Sequence, residues 1–190
     1  MSKKSQKKAE KLKKILDASY ANPDEAERSF TQMGYNYDKE LSTPESKVFV
    51  NPKTGVPSIA FRGSKRIVDD FLGSDVALAL GLEKFSPRFQ EAKHITKLVE
   101  DKYGKGANAY GHSLGGTLAE KSGAKGRIVT NNKGVGIFDI GKSIPKNQTD
   151  YRTQNDLPSF LSLTQNHEHN NIITRPSDKA LDIIGNHTYV

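Results

Sequence analysis

The chain has 190 residues, of which 34% are hydrophobic and 27% charged, a composition that excludes fibrous and membrane-embedded architectures and fits one globular domain better than two. No apolar run approaches the roughly 18 residues that cross a bilayer, no apolar stretch follows the N-terminal lysines as a secretory signal requires, and cysteine is absent, which removes disulfides, thiolate metal sites and a cysteine nucleophile. The net charge of +7 belongs almost wholly to one end, because Lys3, Lys4, Lys7, Lys8, Lys11, Lys13 and Lys14 face Glu10 as the one acid among residues 1–14. That end is either a solvated tail or a contact for an anionic membrane or another polyanion. A dedicated nucleic-acid reader is not expected, since no RNA-binding aromatic motif, zinc-finger spacing or second basic stripe occurs. Without a signal or a span, synthesis in the cytoplasm is expected.

Behind the lysines, Ala9, Leu12, Ile15 and Leu16 recur at helical spacing within residues 5–20, which predicts a helix there. A second helix is marked by its ends: Asn22 caps it, Pro23 suits its first position, Asp24 and Glu25 favour its positive end, and Gly34 closes it. Val48-Phe49-Val50 and Ser58-Ile59-Ala60-Phe61 flank Asn51-Pro52-Lys53-Thr54-Gly55, a hairpin pattern in which Gly55 supplies the positive φ. The clearest helix runs from Ser86 to Tyr103, where Phe89, Ala92, Ile95, Val99 and Tyr103 share a face and Gly104 follows. Ala107 to Tyr110 then reads as a strand, Leu114 to Lys121 as a helix ended by Gly123, and Arg127 to Thr130 as a strand. Val135 to Phe138 either continues that strand or stands apart, and Tyr151 to Asn155 and Ile172 to Thr174 are weaker strand segments. Alternating strands and helices predict a mostly parallel sheet with crossover helices. The expected organisation is a basic helical extension over residues 1–20 and a single α/β domain over 21–190.

Between the strand ending at Tyr110 and the helix starting at Leu114 stands Gly111-His112-Ser113-Leu114-Gly115-Gly116. A serine hydroxyl becomes a useful nucleophile only when it is held out on a strained turn and given a base. Glycines two residues to either side of Ser113 allow the turn to pack against strand and helix, and the helix beginning at Leu114 aims its amides at a developing oxyanion.

Ile59-Ala60-Phe61-Arg62-Gly63-Ser64 together with Tyr110-Gly111-His112-Ser113-Leu114-Gly115-Gly116 resembles the class 3 lipases, the fungal triacylglycerol lipase group. The resemblance extends from about Ser46 to His187. It implies an α/β-hydrolase fold and a Ser-His-Asp triad with Ser113 as nucleophile. It also implies an oxyanion hole built from Ser64, through its amide and hydroxyl, and the amide of Leu114. Tyr151 to Pro158 resembles the family's acid segment, making Asp156 the triad acid, with Asp139 the main rival and Asp182 a weaker one. Gly185-Asn186-His187-Thr188-Tyr189 resembles the terminal histidine segment, making His187 the base. His94 breaks the expected order of serine, acid, histidine. His112 adjoins the nucleophile and should point away from it. His167 and His169 read as solvated loop histidines, since two histidines without a third ligand are weak evidence for a metal.

The chain departs from the family in having no tryptophan after Arg62-Gly63-Ser64, where Phe71 stands instead, and no cysteine. This compact version is closer in style to hydrolases encoded inside cells, by phages and by large DNA viruses. The apolar run Val76 to Leu82 reads equally as a core helix or as the family's lid. The implied reaction is hydrolysis of a carboxylic ester, first of all a lipid or phospholipid acyl ester, needing no metal or organic cofactor. A short-chain esterase, a thioesterase, or a binding or virion protein that keeps the fold are the alternatives.

Overall fold

The computed structural model describes residues 3–63, 87–136, 139–153, 161–167 and 172–175. Two helices come first. Helix α1, Lys3–Tyr20, buries Leu12, Ile15, Leu16, Ala18 and Ser19, a stripe at three- and four-residue spacing. Its second half is therefore packed into the fold, and the lysine-rich first half continues the same helix. Helix α2, Pro23–Gln32, starts where the Asn22 side chain accepts the Glu25 amide at 3.0 Å. It ends at Met33, after which Gly34 turns the chain with a φ of +80°.

Strands β1 (Asn36–Asp38), β2 (Ser46–Val50) and β3 (Pro57–Phe61) form an antiparallel meander. The β2–β3 hairpin turns through Gly55 at a φ of +64°, as its sequence requires. Helix α3 (Pro87–Tyr103) leads to β4 (Asn108–His112), and helix α4 (Leu114–Lys121) leads to β5 (Ile128–Asn131). Strands β6 (Gln148–Thr153) and β7 (Ile172–Arg175) follow, with a 3₁₀ turn at Leu161–Thr164 between them. The seven strands lie in one sheet in sequence order, and β3 to β7 are all parallel.

That order has a consequence for the layers. Successive right-handed crossovers stepping in one direction put their helices on one face, and α3 and α4 pack together there over Ile59, Phe61, Ala109 and Ile128. The opposite face needs its own cover, and α1 and α2 supply it over Phe49, Ala60, Tyr110 and Val129. Strand side chains alternate between the two cores, so β2 and β3 are buried at every position. Phe30 of α2 stacks on Phe49 at 4.2 Å between centroids, an offset aromatic pair at the centre of the second core.

Two strands differ from the sequence reading. β1 was not expected, because Asn36-Tyr37-Asp38 is a polar edge segment without alternation. β6 begins at Gln148, three residues before the expected start, because Gln148 and Asp150 are buried polar residues that apolar patterning does not detect. Residues 133–136 are not a strand, and 137–138 lie outside the described residues. Among the described residues no helix is long and apolar enough to cross a membrane.

Candidate active site

Ser113 sits at the junction of β4 and α4 with φ 54° and ψ −126°. A side chain in this region costs on the order of 1–3 kcal/mol, and such strain persists only where the surroundings impose it. Here they do. The Ser113 amide donates to the Asn131 carbonyl at 3.1 Å, and the Ser113 carbonyl accepts from Gly116 at 2.9 Å and Thr117 at 3.3 Å. The backbone is thus gripped by β5 on one side and by the first turn of α4 on the other.

The flanking glycines meet the demand read from the sequence. A Cβ on Gly111 would run into the carbonyl of Gly115, and one on Gly115 would run into the carbonyl of Phe61 while lying 3.0 Å from the Gly63 amide nitrogen. A Cβ on Gly116 would come within 2.7 Å of the Lys133 Cβ. Strand β3, the turn and helix α4 therefore approach at backbone contact distance. The amide of Leu114, first residue of α4, has no acceptor among the described residues. It is one of the open donors at a helix start, where the dipole favours negative charge.

The turn is braced from the α1 side. Tyr20, the last residue of α1, places its hydroxyl 3.2 Å from His112 Nδ1 and against Gly63. Burial pushes the Tyr20 phenol up to about 12, against the opposing effect of the Gly63 amide. His112 thus points away from the nucleophile, as expected, into the layer beneath α1. At the end of β3, Glu45 pairs with both Arg62 and Arg88, and Arg88 also donates to the Arg62 carbonyl. These contacts join the point where the chain leaves β3 to the first turn of α3.

A buried polar cluster lies beside β5 and β6. Lys133, with 1% of its side chain exposed, pairs with Glu120 of α4 and with Asp150 at 3.0 Å. Asp150 also accepts from Thr130 at 2.8 Å and Gln148 at 2.7 Å. His167 completes the cluster, with Nε2 3.0 Å from Asp150 and Nδ1 3.0 Å from the Gln165 carbonyl. Burial alone would raise the Asp150 carboxyl, yet the His167 hydrogen bond and the Lys133 charge outweigh it and hold it at about 2. This corrects the expectation of a solvated His167: its side chain is only 9% exposed, and both ring nitrogens are engaged away from Ser113. A cluster of buried charge partners scattered along the sequence carries no local signal.

Of the residues the sequence singles out, Ser113 and Leu114 are brought together at the head of α4. Ser64, Asp156, His187, Asp182, His169 and the run 76–82 lie outside the described residues. Asp139, the rival acid, is buried and pairs with Lys121 at 2.7 Å and Lys142 at 3.1 Å. Lys121 ends α4, so this carboxylate is engaged at the opposite end of the helix from Ser113, about 12 Å along the axis at 1.5 Å per residue. His94 is exposed on α3. Asn132 was missed. It adopts a φ of +45° directly after β5, and its side chain joins Thr153 at the end of β6 through two hydrogen bonds of 3.1 and 2.7 Å. The Asn131-Asn132 pair is the signal that was there to read, since asparagine tolerates positive φ.

No family model matches the chain, and no curated protein sequence matches it. Among solved structures it is similar to Lip2 lipase of Yarrowia lipolytica, with a TM-score of 0.53 and 15% identity over 84% of this chain and 74% of that one. The nonglycosylated form of the same lipase gives 0.52 and 15% over 84% and 75%. The Rhizomucor miehei lipase in its propeptide complex gives 0.54 and 11% over 85% of this chain and 64% of that one. At such identities the likeness is one of architecture, and together with the parallel sheet it shows that the chain has the α/β-hydrolase fold.

Proposed function

We propose that the protein is a serine hydrolase that cleaves carboxylic esters, lipid or phospholipid acyl esters first. The observation that carries this reading is the strained backbone of Ser113 at the head of α4, between glycines that leave no room for a side chain. A turn with no chemistry to perform has no reason to hold a non-glycine residue at that φ and ψ. In the proposed reaction Ser113 attacks the ester carbonyl while His187 takes its proton. His187 then returns the proton to the leaving alkoxide, and water repeats the cycle on the acyl-enzyme. Asp156 orients His187, and the amides of Ser64 and Leu114 hold the oxyanion. The likeness to fungal lipases supports the ester class, and the resemblance of residues 151–158 and 185–189 supports the acid and base.

The membrane side of the proposal rests on α1. Lys7, Lys8, Lys11 and Lys14 are exposed, and at 100° per residue they share one side of the helix. Such a row is attracted to an anionic bilayer, the surface on which a lipid ester would be met. Labelling with a fluorophosphonate, which needs an activated serine and no knowledge of substrate, tests the central claim. Labelling of the wild type that Ser113→Ala abolishes is the expected result. A wild type inert to the probe and to an ester series of increasing chain length would leave a binding protein on a hydrolase fold.

A further inference from the structure

We infer that Tyr20 is a positioning residue of this site, whose single hydroxyl holds the end of β3 in register with the nucleophile turn. The inference rests on the serine hydrolase reading above and concerns groups that reading does not use. Three observations converge on the same atom. The Tyr20 oxygen lies 3.2 Å from His112 Nδ1, one residue before Ser113. The same oxygen lies against Gly63, two residues after the end of β3. A Cβ on Gly63 would collide with that oxygen and lie 2.7 Å from the His112 carbonyl oxygen, so the contact is closed to any other residue at position 63.

The Tyr20 hydroxyl and His112 Nδ1 share one hydrogen bond of 3.2 Å, and their rings meet edge to face at 6.3 Å between centroids. With its phenol pushed up to about 12 by burial, Tyr20 remains a donor across the working pH range. Van der Waals contact already fixes how closely β3 and α4 approach, since Gly115 lies against Phe61 and Gly63. Contact alone resists compression but not sliding of the strand end along the turn. A directional bond to His112 from a hydroxyl wedged against Gly63 resists that sliding, and productive geometry in such sites tolerates only about half an ångström of error. Tyr20 touches neither substrate nor the reacting atoms in this account, so its loss acts on turnover and leaves ground-state binding alone.

The test is Tyr20→Phe in the full chain, assayed with a soluble p-nitrophenyl ester and with a fluorophosphonate. We expect kcat to fall roughly 5- to 50-fold, KM to stay within about two-fold, and the labelling rate constant to fall by the same factor as kcat. His112→Ala should lower kcat similarly, and the double variant should be no slower than the worse single one, because both remove one linkage. An unchanged kcat, a change confined to KM or fully additive losses would each overturn the inference. A wild type that fails to label sinks the hydrolase reading instead. Should Tyr20→Phe fail to fold, His112→Ala decides by itself, and an unchanged kcat in that variant overturns the inference.

Discussion

His167 Nε2 lies 3.0 Å from a carboxylate oxygen of Asp150, while His167 Nδ1 lies 3.0 Å from the carbonyl of Gln165. Lys133 sets its ammonium between Glu120 and Asp150, so the Asp150 carboxylate meets two nitrogen partners at once. Removing one partner of such a buried cluster strands the others.

The Asp150 carboxyl is held at about 2 in the fold, below its ordinary 3.8. A depressed carboxyl contributes stability that is fully present above the unfolded value and is lost as pH falls through the folded one. Unfolding free energy should therefore decline between about pH 4 and pH 2, by a few kcal/mol from this group. Asp150→Asn should flatten that decline and lower stability at pH 7 by about 3–5 kcal/mol, since Lys133 loses a buried partner. Urea unfolding at a series of pH values reads both effects, and an unaltered midpoint at pH 7 would refute the cluster's role.

Ser113 holds a conformation that suits glycine better than serine. Ser113→Gly should raise stability by about 1 kcal/mol through relief of strain, yet abolish fluorophosphonate labelling and lower kcat by on the order of 10³ to 10⁶. Stability and activity thus move in opposite directions in one variant. Thermal unfolding beside an ester assay checks this, and a less stable Ser113→Gly would show that the turn is unstrained.

Asp139 is committed to Lys121 and Lys142, which separates the two acids experimentally. Asp156→Asn should slow ester turnover roughly 10²- to 10⁴-fold with the fold retained, because the imidazole loses its orientation and its charged form loses support. Asp139→Asn should lower the melting temperature and leave turnover below the transition unchanged. In the wild type kcat/KM should rise with pH through about 6 to 7 as the base loses its proton. Turnover lost in Asp139→Asn alone would reverse the choice of acid.

Lys7, Lys8, Lys11 and Lys14 lie on the exposed side of a helix whose far half is core. Changing all four to glutamate should weaken adsorption to vesicles containing phosphatidylserine, and the difference should shrink as salt rises. Turnover of a soluble ester should be unaltered. Deletion through Leu16 is a different experiment, since it removes Leu12, Ile15 and Leu16 from the core and should unfold the sheet's second cover. Vesicle binding indifferent to the four charge reversals would remove the membrane from the proposal.

What the amino-acid sequence determined by itself is what local sterics and local hydrogen bonds decide. Asn22 and Pro23 place the start of α2, Gly55 shapes the β2–β3 hairpin, and the glycines around Ser113 mark the turn with α4 running from Leu114 to Lys121, because each of these depends on neighbours a few residues away. The resemblance to class 3 lipases supplied the proposed acid and base, Asp156 and His187. Only the tertiary structure decided the rest. Tyr20 meets His112 across 92 positions of sequence, and Asp150 meets Thr130, Lys133 and His167 through a parallel sheet whose strand order sets the pairing. The first three residues of β6 escaped apolar patterning because its inward side chains there, Gln148 and Asp150, are polar. A buried polar group is stabilised by partners that the fold brings to it, and spacing along the chain holds no record of which partners those are.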